Sequence, residues 1–300
     1  MNTEHAELTT LPGWRIERHA TVGSTNDLAK AKARAGDPGR LAIVADEQTS
    51  GRGRMGRSWV APPRSSLLVS LIVRPGAAGG RTALRDSKRA DPDMPATQIQ
   101  LEAMLRAEHA YLLTMLAAVA LCEAIEAVVP IQAALKWPND LMLPGIDGRL
   151  RKAAGILAEV DIHSGLVAWV VLGFGVNITW HPSGVIDGRD LDQHATSLYA
   201  AAGIDTTMDV AMEAAPERAA LLHALLERVS AWDATISERG ATELYTTWRG
   251  RLATIGQHVA LQLPDRVVEG LAEDVEPNGA LRVRDRAGQL QIVTTGEVRA

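Results

Sequence analysis

The sequence predicts an α/β (α+β) domain over residues 1–250, followed by a small all-β domain over residues 251–300. Three observations predict it. Strand-like apolar runs alternate with helix-like apolar periods up to Trp248, the pattern of a mixed domain. From Val259 onward only short apolar runs remain, most of them separated by turns such as Pro277-Asn278-Gly279. That is the pattern of a barrel of about 50 residues. Between two early strands lies Gly51-Arg52-Gly53-Arg54-Met55-Gly56-Arg57-Ser58-Trp59, with three glycines and three arginines in seven residues. Glycine lets backbone approach a ligand closely, and arginine offers a fixed fork of donors to phosphate or carboxylate. Such a loop is costly to order, so it is expected to be the place to which the rest of the chain brings substrate.

The elements follow in order. Residues 1–12 are polar and read as a frayed lead-in, and Trp14 to Ala20 reads as a strand. Ser24 and Asp27 have capping-box spacing ahead of an Ala/Lys-rich helix that stops at Gly36. A hydroxyl at a helix N-terminus also binds polar ligands, so capping and binding do not compete. Leu41 to Ala45 is a short strand leading to Gln48 and the loop, and Leu67 to Val73 is a buried strand. Gly76 to Ala96 is rich in Gly, Pro and charge and reads as an insertion. Thr97 to Val129 has helical phase, and Ile131 to Trp137 is a strand stopped by Pro138. Ala154 to Val160 and Leu166 to Phe174 form an antiparallel pair, residues 180–195 are loop, and helices cover about 207–213 and 217–238, extended by Thr242 to Trp248. The barrel strands are Val259 to Leu263, Val267 to Asp274, Leu281 to Asp285 and Leu290 to Thr294.

Composition bounds the function. Hydrophobic residues make up 46% of the 300 residues, enough for a large core, and aromatics only 4%, so aliphatic side chains must build it. A net charge of −5 leaves the arginines at 52–57 as an island in an acidic chain, which argues against DNA as a partner. The single Cys122 allows no intramolecular disulfide and points to a reducing compartment. It sits in an apolar helical run as an inert buried thiol. The N-terminus has no signal-peptide h-region. The longest apolar run, Ala110 to Cys122, is shorter than the ~20 residues that span a bilayer. The expectation is a cytoplasmic protein with no membrane partner.

Gly51, Gly53 and Gly56 also spell G-x-G-x-x-G, so a dinucleotide or kinase loop must be tested. A Rossmann loop opens a helix, but here two prolines and then a strand follow, and no acidic residue stands at a second strand end. None of the other kinase signatures is present. A minor-groove arginine hook does not suit so short a basic island. Lys136-Trp137-Pro138-Asn139-Asp140 is a second constellation. Pro-Asn-Asp is good chemistry for a plain surface turn. Beside it, a lysine at a strand end offers a point charge to phosphate, and an aspartate with carbonyl oxygens suits Mg²⁺. No close histidine pair, cysteine cluster or G-x-S-x-G elbow occurs. The chemistry left is electrostatic: arginines, a lysine and Mg²⁺ stabilising charge on phosphate.

Five blocks in fixed order carry a resemblance. They are Gly23-Ser24-Thr25-Asn26, Glu47 to Trp59, Lys136 to Asp140, Lys152-Ala153-Ala154-Gly155-Ile156-Leu157-Ala158-Glu159 and Gly173-Phe174-Gly175-Val176-Asn177. The chain resembles the biotin protein ligases. The resemblance implies a mixed, largely antiparallel sheet with flanking helices of the class II synthetase-like kind, and an SH3-like C-terminal barrel. It implies that biotin and MgATP give biotinyl-5′-adenylate, and that the biotinyl group then passes to a lysine of a carboxyl-carrier domain. By motif, Ser24, Thr25, Asn26 and Gln48 would hold biotin, and Arg52, Gly53 and Arg54 would close over it. Trp59 would wall the apolar part, while Gly155, Gly173 and Gly175 would pass close to it. Lys136 would contact the reacting carboxylate and α-phosphate. Arg54, Arg57, Asn139, Lys152 and Asn177 would serve ATP, and Asp140 would serve Mg²⁺. Lys136, Arg52 and Arg54 are the expected catalytic residues.

Met55 stands where a second consecutive arginine is common in the family's repressor members. Only about 20 residues precede the Ser-Thr-Asn block, too few for a helix-turn-helix, so DNA binding is not carried over. Two alternatives remain: a lipoate or octanoate ligase or transferase of the same fold, and a non-catalytic protein that senses biotin or binds DNA. Whether the chain forms a homodimer, and which carboxylase it serves, are not written in the sequence.

Overall fold

Alternating burial shows how one sheet serves two layers. Along Leu41–Gln48, Ala42 and Val44 face the main core while Leu41 and Ile43 face a smaller one. A computed structural model describes residues 7–11, 13–74, 106–145, 147–186, 188–204, 215–263 and 266–299. The chain runs β1 (Glu7–Leu11), β2 (Trp14–Val22), α1 (Thr25–Arg34), β3 (Leu41–Gln48), β4 (Ser66–Val73), α2 (Tyr111–Val128), β5 (Ala134–Lys136), β6 (Asp140–Pro144), β7 (Leu150–His163) and β8 (Leu166–Asn177). Then come β9 (Val185–Ile186), β10 (Arg189–Asp190), α3 (Leu191–His194), α4 (Leu198–Ala201), α5 (Ala215–Arg239) and α6 (Thr242–Gly250). Last are β11 (His258–Gln262), β12 (Val267–Val275), β13 (Leu281–Asp285), β14 (Leu290–Val293) and β15 (Glu297–Arg299).

The first eight strands form one sheet in the order β1-β2-β3-β4-β8-β7-β6-β5. Its neighbours are antiparallel except β2 and β3, which α1 joins as a parallel crossover. The expected mixed, largely antiparallel sheet is therefore what forms. The second sheet is five-stranded, in the order β14-β13-β12-β11-β15.

On one face of the large sheet, Ala29 and Ala33 of α1 pack on Leu41, Ile43, Ile72, Trp169 and Val171. The main core lies on the other face, against α2 and α5. Twelve of the eighteen residues of α2 are buried, so it is apolar on nearly every side. The stretch Ala107–Val128 is long and apolar enough, by length and composition, to cross a membrane; here two thirds of an 18-residue window within it is buried among protein. Cys122 sits inside it as expected, its thiol pushed up to about 12 by burial.

Several elements depart from expectation. The lead-in expected to fray is partly β1, because Glu7 to Leu11 finds a hairpin partner in β2 and Leu11 packs on the core. Residues 180–195 hold the β9–β10 pair and α3, elements of two to four residues that periodicity cannot register. The strand expected over Ile131 to Trp137 is only Ala134–Lys136. Strand β15 was not expected, since Glu297-Val298-Arg299 offers one apolar residue to a pattern that needs several. The Gly76–Ala96 insertion, residues 97–105 of the expected helix and the 207–213 helix lie outside the described residues, and α2 begins only at Tyr111, after a 3-10 turn at Ala107–His109.

Candidate active site

At one end of the site, neutral polar side chains are almost wholly buried. Ser24, Thr25 and Asn26 open α1 at 5%, 3% and 5% exposure. The Thr25 backbone N–H donates to Gln48 Oε1 at 2.7 Å, and the Thr25 hydroxyl reaches the same oxygen at 3.0 Å. Ser70, from the middle of β4, lies 2.8 Å from Thr25 Oγ1 and 2.5 Å from Asn26 Oδ1. Asn26 Nδ2 donates to Glu159 at 2.9 Å, and Lys30 Nζ donates to the other oxygen of that carboxylate at 2.6 Å. Burial opposes charge on Glu159, but Lys30, Asn26 and Arg52 outweigh it and hold the carboxyl below the ordinary glutamate value. Ser24 occupies the N-cap position with extended backbone, yet its hydroxyl makes no capping bond, so the capping-box expectation fails. Ser24 lines the cavity instead.

A floor of glycines comes next. Gly155 of β7 and Gly175 of β8 are register partners, and Gly173 lies opposite Leu157. These positions alternate with Ala154, Ile156, Phe174 and Val176, which point into the main core, so the glycines open the opposite face. Protein fills the space they leave. A Cβ on Gly175 would stand 2.4 Å from the Trp59 ring, one on Gly155 3.2 Å from it, and one on Gly173 2.1 Å from Asn26 Oδ1. The tryptophan thus lies flush on the sheet and can wall an apolar chain running above the glycines. Its indole N–H is buried without a partner, as is Asn177 Oδ1, whose amide nitrogen donates to the Thr196 carbonyl at 3.0 Å. Both residues line the same cavity.

The far end is charged. The arginine-rich loop makes one 3-10 turn at Arg54–Gly56, in which Met55 takes the left-handed φ of 56° and is 59% exposed. No α-helix follows, as expected of a loop that only imitates a Rossmann turn. Arg52 is ion-paired with Asp27, and Arg57 with Glu297 on β15. Arg54 donates to Asn139 Oδ1 at 3.2 Å and reaches Thr295 Oγ1 at 3.5 Å. Burial lowers the Arg54 pKa, and the nearby Asp140 charge opposes this. Lys152 Nζ is 2.7 Å from Asp140 Oδ1 and 5.6 Å from the centre of the Trp59 ring. Lys136 ends β5, and the next residue anchors the turn: Trp137 is 2% exposed and its indole donates to the Gly279 carbonyl at 2.9 Å.

One cavity of about 690 Å³ joins these three parts. Every residue named from the motifs lines it: Ser24, Thr25, Asn26, Gln48, Arg52, Gly53, Arg54, Arg57, Trp59, Lys136, Asn139, Asp140, Lys152, Gly155, Gly173, Gly175 and Asn177. Among the described residues no group of three His, Cys, Asp or Glu side chains could hold a metal. Asp140 is a lone carboxylate, already paired with Lys152. That donor set fits Mg²⁺ carried mainly by a nucleotide's phosphates and its own waters, and does not fit a closed protein cage. Sequence reasoning did not assign Ser70, Lys30, Glu159 or Glu297. Ser70 left a signal, since it is the one polar residue inside LLVSLIV.

Family models match two parts of the chain: the biotin/lipoate A/B protein ligase family over residues 20–84, and the biotin protein ligase C-terminal domain over residues 254–299. A biotin–[acetyl-CoA-carboxylase] ligase of Mycobacterium tuberculosis is 33% identical over 95% of this chain and 89% of its own length. The chain belongs to the biotin protein ligase family. Another ligase of the same name, from Paracoccus denitrificans, is 29% identical over 93% of this chain and 98% of its own. The structure of the Aquifex aeolicus biotin protein ligase in complex with biotin and ATP shares the fold at a TM-score of 0.64 and 21% identity. It covers 95% of this chain and 97% of that one. The residues matched by the C-terminal domain model hold the five-stranded sheet described above.

Proposed function

We propose that this chain is an ATP-dependent biotin protein ligase. It converts biotin to biotinyl-5′-adenylate and then passes the biotinyl group to a lysine of a biotin carboxyl-carrier domain. The observation that carries this is the gradient along one cavity, from buried neutral polar groups, across a glycine floor under an indole, to a cluster of arginines and lysines. A ligand with a polar neutral head, an apolar tail and an anionic end matches it in that order.

In this reading Ser24, Thr25, Asn26 and Gln48 bind the ureido head, and Trp59 with Gly155, Gly173 and Gly175 confines the tail. Lys136, Arg52 and Arg54 draw together two anions, the biotin carboxylate and the α-phosphate. A carboxylate oxygen attacks the α-phosphorus and pyrophosphate leaves, while Arg54, Arg57, Asn139, Lys152 and Asn177 hold the nucleotide. Mg²⁺ bound to the phosphates beside Asp140 would neutralise part of their charge. An acyl-adenylate hydrolyses when wet, so closure of the Gly51–Trp59 loop keeps water out. The acceptor lysine then attacks the acyl carbon and AMP leaves. The substrate brings the nucleophile, so no serine or cysteine of the chain is needed.

The catalytic unit is assigned to residues 1–250 and the SH3-like barrel to 251–300. The acceptor is the carrier domain of a biotin-dependent carboxylase, and the setting is the cytoplasm. The test supplies labelled biotin, ATP, Mg²⁺ and a carrier domain, and measures label on the carrier. Parallel reactions with lipoate and octanoate are scored for acid-labile adenylate. Label on the carrier with biotin is the expected result. Lipoyl- or octanoyl-adenylate without the biotinyl form overturns it.

A further inference from the structure

The buried head pocket carries an imbalance that its own side chains create. Three oxygen–oxygen contacts run in a line, Asn26 Oδ1 to Ser70 Oγ at 2.5 Å, Ser70 Oγ to Thr25 Oγ1 at 2.8 Å, and Thr25 Oγ1 to Gln48 Oε1 at 3.0 Å. Each needs one proton between its oxygens. The two hydroxyls supply only two. Flipping either terminal amide to present its NH₂ would supply the third, and both flips are blocked. Gln48 must keep Oε1 where it is, because the Thr25 backbone N–H donates to it at 2.7 Å. Asn26 must keep Nδ2 turned away from Ser70, because Glu159 at 2.9 Å is a carboxylate that can only accept. The Leu157 carbonyl at 3.5 Å favours the same orientation more weakly. Lys30 at 2.6 Å, itself 3.1 Å from Asp27, keeps that carboxylate charged and in place.

We infer that Glu159, held by Lys30, is a positioning residue that locks Asn26 so that the head pocket is one donor short and selects ligands bringing N–H groups. The inference rests on the ligase reading and deepens it by naming what sets the preference for a cyclic urea. No atom of Glu159 needs to touch the ligand. With Gln at 159 the new amide can donate as well as accept, Asn26 is free to turn, and its NH₂ can complete the line of bonds. The pocket then has no vacancy for a ligand donor.

The experiment compares biotin with an analogue methylated on a ureido nitrogen, by calorimetric titration of the full chain. Wild type is expected to prefer biotin. Glu159→Gln is expected to lose about tenfold to a hundredfold in biotin affinity, the range for a mismatched buried hydrogen bond. Its affinity for the methylated analogue should change little, so the preference collapses. Glu159→Asp keeps a group that can only accept and is expected to retain the preference at reduced affinity. Gln and Asp variants that behave alike overturn the inference, as does an equal loss for both ligands accompanied by a lowered melting temperature. If wild type binds neither ligand, the ligase reading fails and takes this inference with it. If wild type binds biotin but Glu159→Gln keeps the preference, only the inference fails.

Discussion

The two ends of the cavity are built on opposite principles. In the head pocket, Thr25, Asn26, Gln48 and Ser70 hold one another through short neutral hydrogen bonds and are pinned from behind by Glu159 and Lys30. At the charged end, Arg52, Arg54 and Arg57 rest on Asp27, Asn139 and Glu297, partners on three different elements, and Arg52 is about half exposed. The first arrangement is preorganised, so little entropy is lost when a ligand enters. The second is two ion pairs, each worth little in water, and one hydrogen bond, which phosphate can replace at small cost. The rigid end suits recognition of shape, and the end with exchangeable partners suits rearrangement around charge.

Substitutions can break this contrast, and the largest effect falls where the ends meet. Lys136→Ala removes the cation proposed to meet the carboxylate and α-phosphate, and adenylate formation is expected to drop by about 10²–10³ with the melting temperature preserved. Near-normal turnover in a pyrophosphate-release assay would refute its role. Gly173→Ala sets a Cβ 2.1 Å from Asn26 Oδ1. It should weaken biotin binding by about tenfold or more, since a preorganised pocket cannot yield, and unchanged affinity would mean that the rigid end is softer than its bonding suggests. Arg54→Gly, at the adaptable end, should speed adenylate loss only about severalfold, read by trapping released intermediate.

Acid separates the ends further. Glu159 has a lowered folded pKa, so its contribution is complete above the ordinary glutamate value of about 4.3 and disappears as pH falls through the lowered value. Biotin affinity should therefore hold from neutrality to about pH 5 and decline only below the ordinary glutamate range. A decline near pH 6 in a still-folded protein would contradict this. The smallest effect is at Met55, where glycine takes the φ of 56° without strain and should stabilise the empty-state loop by about 0.5–1 kcal/mol. Slower protease cleavage in the loop would register it.

The candidate site was more legible in the sequence than the scaffold. The seventeen residues chosen from five motifs all line one cavity, because chemistry is concentrated in residue type and spacing. What escaped were the supports. Lys30 and Glu159 lie 129 positions apart, and no local pattern announces that a surface-looking lysine closes on a strand glutamate. Glu297 sits in a three-residue strand that no apolar period marks. Long elements such as α2, β4 and β8 were legible because burial repeats along them; β1, β9 and β10 were not, because pairing partners rather than periodicity decide them.

Helix α2 has a consequence for how the protein is made. Its helical cover is α5 and α6, which begin at residues 215 and 242, long after α2 ends at Val128. A ribosome adding about 5–20 residues per second must work for roughly 4–20 seconds before that cover exists. Throughout this interval a helix with the length and apolarity of a membrane span is without its shield. The nascent chain thus presents an apolar helix that the later helices cover in the finished protein. A synonymous-codon slowdown between residues 128 and 215 should lower soluble yield while leaving the properties of the molecules that do fold unchanged.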